Sequence, residues 1–88
     1  MEGELQTRLG RNLRAYRIAR GLSQEDFADV VGVHRTYIGG IERGERNLTL
    51  ISVERIASAI KVDPLSLLVD RTPKPDPRKI PAAQRPRI

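Results

Sequence analysis

The chain has 88 residues, enough for one small domain, and carries a formal net charge of +5. It has no cysteine, which excludes disulfides and zinc fingers, and its single histidine, His34, cannot hold a metal alone. We therefore expect no metal and no cofactor. Apolar runs of at most two or three residues exclude a membrane span, and residues 1–6 lack the features of a secretory signal. We expect a soluble, cytoplasmic protein.

The positive charge is concentrated towards the C-terminus. Residues 1–69 contain ten Lys or Arg against nine Asp or Glu, whereas residues 70–88 contain six against two, so the net charges are +1 and +4. Five of the six prolines also lie in 70–88, where they remove backbone donors and restrict the residues before them. We predict a folded domain over residues 1–69 and a disordered, proline-rich basic tail over residues 70–88.

Apolar periodicity predicts five consecutive helices and no strand, so the predicted fold class is all-α, a compact five-helix bundle. The first helix is predicted over roughly 6–20. Ser23, Thr49 and Asp63 are predicted to cap the second, fourth and fifth helices. The residues predicted to face the core are Leu9, Leu13 and Tyr16, then Phe27, Ala28 and Val31, then Ile38 and Ile41, then Leu50, Val53, Ile56, Ala57 and Ile60, and finally Leu65 and Leu68.

The second and third helices have the spacing of a helix-turn-helix. About three residues separate them, including Gly32, which favours a tight turn. Ala28 is small enough for the two helices to approach, and Ile38 anchors the third helix against the second. In this motif the later helix lies in the major groove of DNA with its N-terminal residues at the base edges. The pattern therefore predicts a DNA-binding protein whose recognition helix spans roughly 35–42.

The segment GLSQEDFADVVGVHRTYIGGIERGERNLTL resembles the Cro and phage-repressor (XRE-type) class of helix-turn-helix proteins, and the likeness covers nearly all of residues 9–69. More narrowly, HRTYI at 34–38 and ERGERNL at 42–48 are similar to the controller proteins of restriction–modification systems. The resemblance implies a regulator that binds double-stranded DNA as a homodimer on a pseudo-palindromic operator and represses, activates or does both. A general phage or plasmid repressor remains an alternative.

The resemblance also implies roles for individual residues. Arg35, Thr36 and His34 are expected to read base edges, Arg35 above all because a guanidinium pairs bidentately with guanine. Arg17 and Glu42 are expected to form a structural salt bridge between the first and third helices. The residues expected to bind the DNA backbone are Gln24, Tyr37, Arg43, Arg46 and Asn47.

Three residues depart from the family pattern. His34 stands where the family usually has a capping Ser or Thr, and we expect it to be a poor cap. Gly39 and Gly40 lie on the outer side of the recognition helix, where each costs roughly 1 kcal/mol of helix propensity relative to Ala. They offer no side chain for readout, and we interpret them as letting the helix backbone approach the groove closely.

In the resembled family the dimer interface lies on the fourth and fifth helices, which here implies Ile51, Leu65, Leu68 and Val69. The alternative is that these side chains only complete the core. Two other classes of protein remain open: an antitoxin whose tail binds a toxin, and a protein-interaction module that does not bind DNA. With one His and no Cys, nucleophilic catalysis has little basis, so we do not expect an enzyme. No effector domain follows the bundle, so we expect no small-molecule effector.

Overall fold

The computed structural model describes residues 3–70, which are all-helical. The α-helices are α1 over Glu4–Ala19, α2 over Gln24–Val31, α3 over Arg35–Glu42 and α4 over Leu50–Ala59, and a short 3-10 helix follows over Pro64–Leu67. The predicted α3 bounds agree with the structure. The prediction of a fifth α-helix is wrong, because this segment makes a single 3-10 turn, which is too short to repay the cost of nucleating an α-helix. Apart from Asp70, the predicted tail lies outside the described residues.

The three predicted side-chain caps are present at the starts of these elements. A side-chain oxygen accepts a backbone N–H bond over 3.0–3.1 Å in each case, which satisfies a donor that the helix itself leaves unpaired. The pairs are Ser23 with Asp26, Thr49 with Ser52, and Asp63 with Leu65. Local sequence therefore determines where α2, α4 and the 3-10 helix begin.

One core of buried apolar side chains joins all these elements. Its members are Leu9, Leu13, Phe27, Ala28, Ile38, Ile41, Val53, Ile56, Ala57, Ile60 and Leu67. The prediction was wrong for Leu50 and Leu65, which are 75% and 70% exposed. Leu50 is the first residue of α4, one turn before the buried Val53, and its side chain stays exposed at the end of the helix. In the 3-10 helix, which has about three residues per turn, it is Leu67 that faces the core.

Helix α1 approaches α3 at Gly10. A Cβ atom on residue 10 would collide with the carbonyl oxygen of Ile41 and would lie 2.9 Å from that of Glu42. Only glycine permits this separation between the two backbones. Gly10 therefore fixes how closely the C-terminal half of α3 packs against α1.

Asn12 is the buried polar residue of the described core, with 3% of its surface exposed. Its Nδ2 group donates to the carbonyl oxygens of Leu67 at 2.7 Å and Val69 at 2.8 Å. Burying an amide is favourable only when such bonds are made. Asn12 thus ties α1 to the chain that follows the 3-10 helix. None of the helices within residues 3–70 combines the length and apolarity that crossing a membrane requires.

Candidate DNA-binding surface

A tight turn joins α2 to α3 and orients the second helix against the first. Gly32 ends α2 in the left-handed conformation, with φ of 82°, and its N–H donates to the carbonyl oxygen of Ala28 at 2.7 Å. Ala28 and Ile38 are buried where the two helices pack. The arrangement is a helix-turn-helix, and it leaves the N-terminal turn of α3 at the protein surface.

The residues predicted to read bases lie at this exposed end of α3. His34, Arg35 and Thr36 are all exposed. Arg35 makes no hydrogen bond or ion pair with another described residue, so no side chain within residues 3–70 competes for its guanidinium. The surface formed here and at the following loop, which we call the α3 surface, comprises His34, Arg35, Thr36, Tyr37, Arg43, Arg46 and Asn47.

His34 caps α3 through its ring, contrary to the expectation that it is a poor cap. Its Nδ1 accepts the backbone N–H of Thr36 at 3.1 Å and lies 2.7 Å from the hydroxyl oxygen of the same residue. A neutral imidazole can substitute for a hydroxyl here because one ring nitrogen is an acceptor. In the tautomer whose Nδ1 accepts this bond, the ring proton is on Nε2, which remains as a donor.

The residues predicted to bind the DNA backbone follow along α3 and into the next loop. Tyr37 is half-buried, and the guanidinium carbon of Arg46 lies 5.1 Å from the centre of its ring, within the range of a cation–π contact. Arg43 is exposed and donates from Nε to Glu45 at 3.0 Å. Asn47 accepts from the Nε2 of Gln6 on α1 at 3.3 Å. Within this predicted set, Tyr37 and Arg46 thus lie in direct contact.

Gln24, the remaining predicted backbone contact, lies in the first turn of α2. Its Nε2 donates to Glu42 Oε1 at 3.2 Å, so the side chain links α2 to the end of α3. The amide has a second N–H, which this bond does not use. Gln24 therefore connects α2 to α3 and also lies beside the α3 surface.

Arg17 and Glu42 form a bidentate ion pair between α1 and α3. Arg17 Nε and Nη2 donate to the two carboxylate oxygens at 2.8 and 2.9 Å, and Nη1 donates to the Leu22 carbonyl oxygen at 2.9 Å. The side chains are only 13% and 3% exposed. Hydrogen bonding to Glu42 raises the pKa of Arg17 above its ordinary value and outweighs the opposing effect of burial. A raised pKa means that this stabilisation is lost only at strongly alkaline pH.

Gly39 and Gly40 do not leave the backbone of α3 open as we expected, because both are buried. The side chains of Arg43 and Gln24 cover Gly39, and the side chain of Arg46 covers Gly40. No local pattern predicts this burial, because the covering arginines come from beyond the end of the helix.

Ser52 and Arg55, which the sequence does not single out, border the α3 surface. A surface cavity of about 520 Å³ between the turn and α4 is lined by His34 and Tyr37 on one side and by Ser52 and Arg55 on the other. Arg55 is exposed and Ser52 is half-buried. They add a cation and a hydroxyl next to α3. As polar residues on an outer helix face, they carry no pattern that distinguishes them from ordinary surface.

The residues predicted to form a dimer interface lie on α4 and after the 3-10 helix. Ile51, Leu65 and Val69 are 61%, 70% and 47% exposed, and Leu68 is half-buried. Ile51, Leu65 and Val69 therefore do not complete the core, whereas Leu68 packs against it. Leu50, also largely exposed, adds to the apolar surface of the same elements.

Comparison with known proteins agrees with this architecture. Residues 13–67 match the HTH_3 helix-turn-helix family, and the chain belongs to this family. Over 60 residues it is 47% identical to the control protein C.SmaI of Serratia marcescens, an alignment that covers 68% of this chain and 71% of that protein. It is 39% identical over 69 residues to the control protein C.BamHI of Bacillus amyloliquefaciens, covering 77% of this chain and 85% of the relative.

Solved structures give the same result. The restriction–modification controller protein C.AhdI from Aeromonas hydrophila superposes with a TM-score of 0.63 at 42% identity, covering 70% of this chain and 90% of that one. A hypothetical transcription factor from Neisseria superposes with a TM-score of 0.70 at 36% identity, covering 76% and 77%. The chain is a helix-turn-helix DNA-binding regulator related to restriction–modification controller proteins. The relatives are regulators and not enzymes.

Proposed function

We propose that this chain is itself the controller protein of a restriction–modification system, acting in the cytoplasm of a prokaryote at operator DNA. The observation that carries the proposal is the exposed Arg35 at the start of α3, which has no hydrogen-bond or ion-pair partner among residues 3–70. The identity to two control proteins over most of both chains supports the narrower role. We further propose that the protein responds to its own concentration and needs no small-molecule effector.

In this proposal the N-terminal turn of α3 enters the major groove and reads bases. The Arg35 guanidinium donates to O6 and N7 of a guanine, a contact worth roughly 1–3 kcal/mol of discrimination against other bases. Thr36 offers a hydroxyl beside it, and the Nε2–H of His34 is a further donor. These three residues would define the sequence preference of each half-site.

Contacts to phosphates would position the helix without reading sequence. Arg43, Arg46 and Asn47 follow the C-terminal end of α3, and Tyr37 lies on its flank with a phenolic hydroxyl that can donate. Gln24 has one amide N–H still available at the start of α2. Together these residues would bind the DNA backbone on both sides of the N-terminal turn of α3.

A dimer is needed because one short recognition helix reads too few base pairs to find a site in a genome. We propose that Ile51, Leu65, Leu68 and Val69 form the two-fold interface. The exposure of Ile51, Leu65 and Val69 supports this, since large apolar side chains left at a surface are typical of contact sites when they form a patch. Asn12 would support this interface by fixing the carbonyls on either side of Leu68.

Selection of bound duplexes from a random pool tests the proposal. We expect a two-fold symmetric site with half-site centres about one helical turn, roughly 34 Å, apart. Enriched sequences upstream of adjacent methyltransferase and endonuclease genes would support the controller role, whereas sites elsewhere would indicate a general repressor. No enrichment, with uniform micromolar or weaker binding to all duplexes, would contradict sequence-specific binding altogether.

A further inference from the structure

Two adjacent glycines lie on the outer side of α3, and both are buried. At about 100° per residue, Gly39 and Gly40 lie on the side of the helix away from the core residues Ile38 and Ile41. Outward positions on a helix are ordinarily exposed. Here arginine side chains fold back along the helix from its C-terminal end and cover the two glycines.

The contact between Gly40 and Arg46 involves the stem of the arginine. A Cβ atom on residue 40 would lie 3.0 Å from Nε, 3.1 Å from Cγ and 3.5 Å from Cδ of Arg46. These are consecutive atoms, so the stem lies flat on the α3 backbone at this glycine. The guanidinium continues to the ring of Tyr37, one turn earlier, with its carbon 5.1 Å from the ring centre.

The contact between Gly39 and Arg43 is looser. A Cβ on residue 39 would lie 3.0 Å from Nη1 of Arg43, at the end of that side chain, and 3.5 Å from Gln24 Oε1. The guanidinium end can move by a few tenths of an ångström without displacing the stem. A Cβ on residue 40 would instead press on three consecutive atoms of Arg46, so the stem itself must shift by a few tenths of an ångström and can no longer lie flat on the helix.

We propose that Gly40 is a positioning residue for DNA binding: its missing Cβ lets Arg46 lie along α3 and holds the guanidinium at Tyr37. This inference rests on the proposed function, in which Arg46 meets the DNA backbone. A guanidinium held near its bound position loses less conformational freedom on binding than a freely rotating one. Gly40 therefore contributes to affinity through Arg46, not by admitting the DNA backbone to the helix.

A double-mutant cycle on the duplex selected by the wild-type chain separates these two roles. We expect Arg46→Ala to weaken binding about tenfold, the loss typical of one charge-assisted contact. Gly40→Ala should weaken it about three- to fivefold, the scale of ordering one long side chain. In the Arg46→Ala background, Gly40→Ala should then change the Kd less than twofold, because the residue it positions is gone.

Three further measurements complete the test. Gly39→Ala is the matched control and should weaken binding less than Gly40→Ala. Gly40→Ala should not lower the melting temperature, since Ala is the better helix former. In the protein without DNA, Gly40→Ala should shift the Tyr37 ring proton resonances, because the stacked guanidinium moves away.

The outcomes distinguish the two proposals. If Gly40→Ala weakens binding equally with and without Arg46, the glycine admits DNA directly and the positioning role is wrong. An unchanged Kd in Gly40→Ala would overturn it too. If the wild-type chain selects no duplex at all, the proposed function fails first, and the role of Gly40 fails with it.

Discussion

The carboxylate of Glu42, the last residue of α3, accepts two hydrogen bonds from Arg17 in the last turn of α1, at 2.8 and 2.9 Å. Gln24 donates to the same carboxylate from α2, so one acidic group joins three helices. The Glu42 carboxylate thus connects α3 to both α1 and α2. The orientation of α3 depends on this link as well as on the apolar core.

Removing Arg17 should be costly for folding. Arg17→Ala leaves the nearly buried Glu42 charge without its partner, and we expect the free energy of unfolding to fall by about 3–5 kcal/mol. Urea denaturation followed by circular dichroism measures it. Arg8→Ala is the control, because Arg8 pairs with Glu4 one helical turn away on the partly exposed side of α1 and should cost only about 0.3–0.5 kcal/mol. Equal losses in the two variants would contradict the structural role of the Arg17 pair.

Gly10 should not tolerate even the smallest side chain. Gly10→Ala places a Cβ against the carbonyl oxygens of Ile41 and Glu42, and we expect a loss of about 1–3 kcal/mol from this overpacking. The reverse exchange on the same helix, Ala15→Gly at an exposed position, should cost about 1 kcal/mol through helix propensity alone. A rise in stability for Gly10→Ala would mean that propensity outweighs the contact and that α1 does not approach α3 so closely.

Lys61 follows α4 with a φ of 60° and is the non-glycine residue with positive φ in the described chain. The left-handed conformation costs an L-residue with a Cβ roughly 1 kcal/mol or more, which glycine avoids. Lys61→Gly should therefore raise the free energy of unfolding by about 1 kcal/mol, visible as a higher melting temperature. Lys61→Ala, which keeps the Cβ and removes the charge equally, should bring no such gain. A similar gain in stability in both variants would mean that it comes from removing the Lys61 charge and not from relieving the positive φ.

Residues Ile51 and Leu65 should control self-association without affecting the fold. A carboxylate at either exposed position costs little in the monomer but must be desolvated in the proposed apolar interface. We expect Ile51→Glu and Leu65→Glu to sediment as monomers at concentrations where the wild-type chain is dimeric. Ile18→Glu, at a residue 52% exposed on α1, should leave the dimer intact. If all three variants behave like wild type, the interface lies elsewhere.

The sequence predicts what depends on local chemistry. Ser23 and Thr49 begin their helices as expected, and the turn at Gly32 has the left-handed geometry that a helix-turn-helix requires. The bounds of α3 agree as well, although the residue that caps it, His34, is one that the sequence predicts to be a poor cap. These features involve neighbours only a few residues apart, and a pattern can capture them.

What the sequence could not predict depends on contacts between distant segments. Gly10 is essential only because α3 passes over it, and Asn12 is buried because two carbonyls more than fifty residues later accept its protons. Leu65 is exposed because the turn over Pro64–Leu67 directs Leu67 to the core, and nothing local distinguishes these neighbouring leucines. Gly40 looked open to solvent because nothing local indicates that Arg46 folds back over it.

In the proposed function, Arg35 reads a base from the exposed start of α3. The most direct test measures Kd for the wild-type chain and Arg35→Ala on the selected operator and on duplexes with each half-site base pair changed in turn. We predict that the wild-type chain discriminates by about 1–3 kcal/mol at one guanine position and that Arg35→Ala abolishes discrimination at that position alone. An Arg35→Ala variant that weakens binding to every duplex equally, with the base preference unchanged, would contradict the account.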